Sequence, residues 1–276
     1  MARKAIHSTS NFTHQLTIGT VLENKQIVSD VFKIRIHHPE IAHNAQPGQF
    51  VNIRVTNSIV PLLRRPFSFY QVNQNEGWFE ILFKVVGTGT ECLSRYQVGT
   101  EIDFIGPLGN SFSIPTGMNH AVLIAGGLGI APLNFLSQFL TKKNVRNSLF
   151  WGNSTESLFA SQRSFLDRFD KYFLSTDDGS KGFHGTVTQL FEKKLEQYKD
   201  QGVYLFACGP TPMLKRLKKI VLSHQMLCQV SLETIMACGF GVCMGCSIPA
   251  AGADGMYYYV CKDGPVFKIE EIDLNG

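Results

Sequence analysis

Residues 121–132 read Ala121-Val122-Leu123-Ile124-Ala125-Gly126-Gly127-Leu128-Gly129-Ile130-Ala131-Pro132. Five apolar residues in a row, without alternation, describe a short strand buried on both faces. Three glycines then allow a tight turn, and a helical pattern follows from Ala131 to Lys143. The same unit repeats downstream. Strands are expected at Ser148–Trp151, Tyr172–Ser175 and Val203–Ala207, and helical stretches at Ser161–Phe169, Thr186–Tyr198 and Thr211–Gln225. Strands alternating with helices imply a doubly wound parallel sheet, assigned to residues 117–228. In such sheets ligands bind at the carboxyl ends of the strands, and a dinucleotide pyrophosphate approaches the first strand-to-helix turn. Gly126, Gly127 and Gly129 lie there, although the full G-x-G-x-x-G fingerprint is absent. Cys208-Gly209-Pro210 ends the fourth strand on that edge. Thr176-Asp177-Asp178-Gly179 ends the third, where its acids can meet a ribose hydroxyl or make an Asx turn.

Upstream the period changes. Val31–Ile36, Phe50–Val55 and Trp78–Val85 alternate apolar and polar residues with a β-branched and aromatic bias. Gly and Pro punctuate them, as in Gln46-Pro47-Gly48 and Gly106-Pro107-Leu108-Gly109. Short strands with such turns suggest a small antiparallel barrel over residues 15–116. Within it, Arg65-Pro66-Phe67-Ser68 joins a permanent cation to a rigid ring, an aromatic and a hydroxyl. On an extended segment Arg65 and Phe67 share one face, Pro66 and Ser68 the other. The Arg65 guanidinium suits phosphate, and equally a structural ion pair. Gly87-Thr88-Gly89-Thr90 opens a helical stretch, Glu91 to Tyr96. It reads as an anion-binding helix start or as a glycine turn with a Thr cap.

The C-terminal segment, 229–276, carries Cys238, Cys243 and Cys246 inside Ala-Cys-Gly-Phe-Gly-Val-Cys-Met-Gly-Cys, with Cys261 further on. Cys-x4-Cys-x2-Cys with a distant fourth thiol is the spacing by which plant-type ferredoxins hold a 2Fe–2S cluster. Gly239, Gly241 and Gly245 allow left-handed turns that bring backbone N–H groups close to sulfur. Zinc is the competing ligand, in a nonredox regulatory module, but zinc ribbons favour two short Cys pairs. Disulfides are disfavoured by the odd total of seven cysteines and the lack of a visible secretory signal. The isolated Cys92, Cys208 and Cys228 read as small buried hydrophobes.

The chain of 276 residues has 44% hydrophobic and 17% charged residues and a net charge of +4. That is an ordinary globular composition. No Lys/Arg block marks a nucleic-acid partner, and no apolar run reaches membrane-spanning length. Residues 1–14 contain Arg3, Lys4 and several Ser/Thr but no acid. Without an amphipathic face they read as a loose tail rather than a transit peptide. A cytoplasmic, reducing location is expected.

These pieces together resemble the ferredoxin–NADP reductase superfamily, and within it the electron-transfer subunits of NAD-dependent (class 1B) dihydroorotate dehydrogenases. The resemblance runs from about Gln15 to the end. It is carried by Arg65-Pro66-Phe67-Ser68, Gly87–Thr90, Gly106–Gly109, Ala125–Leu133, Ser175–Gly179, Ala207-Cys208-Gly209-Pro210 and the cysteine loop closing on Val260-Cys261-Lys262-Asp263-Gly264-Pro265-Val266-Phe267. It implies FAD held by Arg65, Pro66, Phe67, Ser68, Leu82, Phe83 and Lys84, with Gly89 and Thr90 at its pyrophosphate. It implies nicotinamide nucleotide beside Gly126, Gly127, Gly129, Cys208 and Gly209, and a 2Fe–2S cluster on Cys238, Cys243, Cys246 and Cys261. Glu233 matches an acid near the flavin in the superfamily, or is a plain surface carboxylate. No general base or nucleophile is assigned, since hydride exchange with flavin requires none.

The resemblance further implies a separate FMN-bearing catalytic subunit that oxidises dihydroorotate, in a heterotetramer with two of each chain. Sister reductase subunits of sulfide dehydrogenases or ferredoxin-dependent transhydrogenases share the same parts. Two acids and no arginine at Ser175–Gly179 point to NAD rather than NADP. Two features depart from the family pattern: a longer segment between Cys246 and Cys261, at Ala250–Met256, and the extra N-terminal tail.

Overall fold

The computed structural model describes residues 15–28, 30–160, 163–199, 202–252 and 255–274. The expected tail, 1–14, lies outside the described residues. Six strands, β1 (Gln15–Val28), β2 (Val31–His37), β3 (Phe50–Ile53), β4 (Arg65–Asn73), β5 (Trp78–Lys84) and β6 (Glu101–Leu108), close an antiparallel barrel in the order β1-β2-β5-β4-β3-β6. Helix α1 (Pro39–Asn44) follows β2, and α2 (Thr88–Ser94) follows β5. The inward residues of the alternating strands, among them Ile34, Ile36, Ile53, Phe69, Phe79, Ile81 and Phe104, are fully buried and form the barrel core.

The pairing of β4 changes partway along. Arg65 to Ser68 pair with β3, whereas pairing with β5 begins only at Phe69, opposite Ile81. Beyond Ile81, Leu82, Phe83 and Lys84 pair with β2 alone. The two strands therefore part at one end of the barrel, after an irregularity between Phe69 and Gln71. A bulge of this kind bends a strand and ends its pairing.

The second layer holds β7 (His120–Gly126), α3 (Ile130–Lys142), β8 (Arg146–Asn153), α4 (Ser157–Ala160), α5 (Arg163–Leu166), β9 (Lys171–Thr176), β10 (Phe183–His184), α6 (Val187–Lys194), β11 (Tyr204–Cys208), α7 (Thr211–Ser223) and β12 (Leu227–Ser231). Strands β10-β9-β8-β7-β11-β12 run parallel in that order, and the order reverses between β7 and β11. Central β7 is buried along its whole length, as its unbroken apolar run requires.

Some elements differ from the sequence reading. Of the helical stretch expected over Ser161–Phe169, residues 161 and 162 lie outside the described residues, and the rest shows α5 over Arg163–Leu166 followed by turns. The helix expected to reach Tyr198 ends as α6 at Lys194 and continues as a 3-10 turn, Leu195–Gln197. Strand β12 crosses the expected boundary after Cys228. The C-terminal segment adds a hairpin, β13 (Ser247–Pro249) with β14 (Tyr257–Tyr259), and returns β15 (Val266–Lys268) antiparallel to β12. The cysteine segment is thus stitched into the sheet at both ends, because Val230 and Phe267 are apolar residues that need the same core.

Helix α3 lies between barrel and sheet and is buried on most of its surface. Its amide side chains bind the edge of β4: Asn134 Nδ2 donates to Tyr70 O at 2.9 Å, Gln138 Nε2 donates to Val72 O at 3.0 Å, and Gln138 Oε1 accepts from Val72 N at 3.3 Å. Its first turn presses on the end of β11. A Cβ at Gly129 would lie 2.1 Å from the Cys208 carbonyl oxygen and 2.4 Å from its carbon. Those atoms are backbone and cannot yield. Gly129→Ala is therefore expected to cost about 1–3 kcal/mol, measured as a lower denaturant midpoint with an unchanged slope.

Candidate functional site

The parted ends of β4 and β5 form two walls of a cleft. Its volume is about 320 Å³, and Arg65, Pro66, Phe67, Ser68, Leu82, Phe83, Lys84 and Thr90 all line it. Phe67 and Phe83 meet across it with ring centroids 5.6 Å apart. All four residues of Arg65–Ser68 face the cleft and are half-buried, so the expected two-face alternation does not separate them. With one edge released from pairing, the strand's main chain borders the cleft along with its side chains. The far walls come from Leu128 and Ala131 at the start of α3, and from Leu232, Glu233, Thr234, Met236 and Pro265. The last five flank the cysteines in sequence.

Arg65 resolves one alternative. Its neighbour Arg64 takes the ion pair, with Nη1 2.9 Å from Asp103 Oδ1. Among the described residues no carboxylate pairs with Arg65. Its Nη1 donates to Leu63 O at 2.7 Å, and the guanidinium lies over Gly89, whose added Cβ would come 3.0 Å from Nε. Thr90 does not cap α2 in the ordinary sense. Its Oγ1 accepts from Val86 N at 2.9 Å and donates to Gly87 O at 3.0 Å, which holds the turn beside the cleft. A planar cation above a glycine-lined helix start is a fitting phosphate cradle.

A second cleft, of about 730 Å³, opens at the carboxyl ends of the parallel strands where their order reverses. Gly126 and Gly127 line it, with Asn153, Ser154, Asp177, Thr186, Gln189, Met213 and Arg216. Gly127 has φ +55°, and an added Cβ there would meet nothing closer than Asn153 Oδ1 at 4.0 Å. Its carbonyl accepts from Trp151 Nε1 at 3.0 Å. Gly129, Cys208 and Gly209 stand behind the lining: Gly129 packs on the Cys208 carbonyl, and Gly209 on Met213. Burial pushes the Cys208 thiol well up, with the nearby Glu233 carboxylate adding to the effect.

The two acids after β9 divide their roles. Asp178 Oδ1 accepts from Ser180 N at 2.9 Å and Ser180 Oγ at 2.6 Å, an Asx turn whose hydrogen bonds lower its carboxyl pKa. Asp177 faces the cleft. Lys84 and Leu128 line both clefts and so mark where they meet. Glu233 lies on the wall of the first, where its side chain is exposed. Arg216 and Met213 of the second cleft carried no signal in the sequence, since nothing in a helix pattern says which face borders a ligand.

The four thiols fall into two pairs. Cys246 Sγ is 3.2 Å from Cys261 Sγ, and Cys238 bonds with the thiol and backbone N–H of Cys243. Among the described residues no three His, Cys, Asp or Glu side chains converge on one ion-sized point. Backbone N–H groups point at sulfur: Gly241 N to Cys261 Sγ at 3.1 Å, Cys261 N to Cys246 Sγ at 3.4 Å, and Cys243 N to Cys238 Sγ at 3.5 Å. Partial burial alone would raise the Cys238 thiol, but the backbone donors of Cys243, Phe240 and Val242 outweigh it and hold its pKa at about 6. Burial and then the neighbouring Cys246 push Cys261 up to about 12. Two thiol pairs with converging N–H donors fit a two-iron cluster, whose sulfurs such donors stabilise. They fit a single tetrahedral zinc poorly. Gly239 and Gly241, at φ +83° and +85°, make the turns that aim the donors. Around the thiols Ile235, Phe240, Val242 and Met244 are exposed apolar side chains.

Comparison with known proteins divides the chain as the geometry does. Residues 19–112 match an oxidoreductase FAD-binding domain, 123–219 an oxidoreductase NAD-binding domain, and 233–273 the iron-sulfur cluster binding domain of dihydroorotate dehydrogenase B. The chain is 35% identical to the electron transfer subunit of dihydroorotate dehydrogenase B (NAD(+)) from Geobacillus sp., over 92% of this chain and 97% of that protein. The Bacillus velezensis subunit is 36% identical over 92% and 98%. Among solved structures, an NADH-dependent reduced ferredoxin-NADP oxidoreductase studied for flavin-based electron bifurcation superposes with a TM-score of 0.82 at 31% identity, over 94% of this chain and 91% of that one. The ferredoxin reductase in carbazole 1,9a-dioxygenase, at 18% identity and TM-score 0.67, shares the fold.

Two substitutions separate the clefts. Arg65→Ala removes charge-assisted hydrogen bonds worth about 1.5–3 kcal/mol. The purified variant should lose FAD but keep its iron, as read by flavin absorbance and iron analysis. Gly127→Val forces a branched residue into a left-handed conformation and fills cleft space. It should raise the KM for NADH by about tenfold or more, while both prosthetic groups stay bound.

Proposed function

Since this chain belongs to the family of electron transfer subunits of dihydroorotate dehydrogenase B, we propose that it links a dihydroorotate-oxidising partner subunit to NAD+ in pyrimidine biosynthesis, with FAD and a 2Fe–2S cluster as its prosthetic groups. Bound there, FAD exchanges paired electrons of a hydride for single ones, and the cluster carries single electrons. The chain's own residues position and tune these groups. Arg65, Gly89 and Thr90 grip phosphate. Ser68, Leu82 and Phe83 bracket the flavin ring, and Leu128 and Lys84 sit where nicotinamide and flavin meet. Gly126 and Gly127 let the backbone approach the dinucleotide, with Gly129, Cys208 and Gly209 packed behind them. Asp177, with no arginine on its loop, suits the ribose hydroxyl of NAD. Glu233 borders the flavin from the side of the cysteine segment.

One observation carries the reading. The residues flanking the cysteines, Leu232, Glu233, Thr234, Met236 and Pro265, are also walls of the flavin cleft. The thiol pairs therefore sit directly beyond the flavin site. The apolar residues exposed around them suit a protein partner, which in this reading carries FMN and assembles two of each chain. Seven free thiols fit a reducing, cytoplasmic setting. Among the described residues no helix is long and apolar enough to cross a membrane.

Anaerobic purification of the native complex tests the reading. It should yield an FMN subunit that oxidises dihydroorotate, with FAD and iron on this chain. The similarity to the ferredoxin-NADP oxidoreductase keeps a sister role alive, and recovery of a glutamate-synthase-like flavoprotein instead would establish it. Cys243→Ser should remove the cluster's visible absorbance and leave that of the flavin. A colourless protein with one zinc would overturn the redox reading altogether.

A further inference from the structure

Asn52 is an anomaly of the barrel. It lies in β3 between Val51 and Ile53 and is fully buried, where an apolar residue belongs. A buried amide is retained only where its hydrogen bonds matter. Its Nδ2 donates across the chain to the carbonyl of Cys238, at 3.0 Å. Its Oδ1 has no hydrogen-bond partner among the described residues. The next residue, Gly239, lies flat on the amide: a Cβ there would come 2.5 Å from Nδ2. The main chain of Asn52 pairs with Pro66, which lines the flavin cleft. One residue thus touches both the flavin strand and the first cysteine.

The other end of the cysteine segment is held in the same way. Asn110, just past β6, donates from Nδ2 to Asp263 O and Val266 O, each at 2.9 Å, and its Oδ1 accepts from Val266 N at 2.9 Å. Its backbone N–H donates to Gly264 O at 2.7 Å. Here too a glycine permits the contact. Gly109 has φ +74°, and an added Cβ would come 2.5 Å from Pro265 Cδ. Gly106 to Leu108, expected as a turn, form the end of β6, and Gly109 directly after them serves this contact. Strands β3 and β6 are neighbours in the barrel, with Asn52 opposite Ile105. The two asparagines therefore grip the segment from one rigid wall.

We propose that Asn52 and Asn110 are positioning residues that clamp the Cys238 and Cys261 ends of the cysteine segment to the flavin-binding barrel, and so set the distance and orientation between flavin and cluster. The proposal rests on the functional reading above. It adds that the cluster is registered against the barrel through amides lining neither cleft.

The test uses the full-length holoprotein with Asn52→Ala and, separately, Asn110→Ala. FAD content and NADH reduction of the flavin should stay at wild-type values. Electron transfer from flavin to cluster, followed by stopped-flow absorbance, should slow by about tenfold or more. The midpoint potential of the cluster and the g-values of its reduced EPR signal should shift, and amide hydrogens should exchange faster over residues 236–246 in Asn52→Ala and over residues 259–267 in Asn110→Ala. If Asn52→Ala does not accumulate, Asn110→Ala and Asn110→Ser read the clamp from the other end. Unchanged potential, EPR signal and exchange in the variants that fold would overturn it. A wild-type protein without flavin or iron would remove the functional reading instead, and hydrogen exchange would still decide whether the amides clamp the segment.

Discussion

The parting of β4 from β5 is the constraint on which the rest of the structure depends. A closed barrel has every strand edge paired and no room for a ligand between strands. Here pairing between these two strands stops at Phe69 and Ile81, while each keeps its other neighbour. The barrel stays closed at one end and open at the other. The opening exposes the main chain of Arg65–Ser68 and the side chains of Leu82–Lys84 to one space. Two short motifs far apart in sequence thereby become opposite walls of one cleft.

The second layer completes that cleft rather than merely adjoining it. Helix α3 binds the outer edge of β4 through Asn134 and Gln138, so the helix that begins at the glycine turn of the second cleft is fixed to the strand that lines the first. Its first turn is also locked to the end of β11 by the contact between Gly129 and Cys208. These amides satisfy backbone groups that burial would otherwise leave without water or partner. Register between the clefts is thus held by directional hydrogen bonds, while apolar packing supplies most of the cohesion. Asn52 and Asn110 extend the same device to the cysteine segment.

Much of the site was legible because its chemistry uses unusual residues at fixed spacing. The cysteine spacing, the glycines at 126–129 and Arg65-Pro66-Phe67-Ser68 each announce themselves without a structure. Choices between adjacent, similar residues were not legible. Arg64 and Arg65 are identical in type, yet one pairs with Asp103 and the other faces the cleft. Asp177 and Asp178 divide in the same way, one into the cleft and one into an Asx turn. Neither choice depends on local propensity; each depends on which distant strand or loop lies alongside.

What the sequence determined by itself was the kind of each part: an alternating barrel, an unbroken apolar sheet, and a quartet of thiols. Periodicity and ligand spacing are local properties, and side-chain chemistry does not change on folding. What only the tertiary structure decided was how the parts share walls. The amides of Asn52, Asn110, Asn134 and Gln138 look like ordinary polar residues in a linear chain. Their meaning comes from carbonyl and N–H groups as far as 186 positions away, and only a folded chain brings those groups within hydrogen-bonding distance.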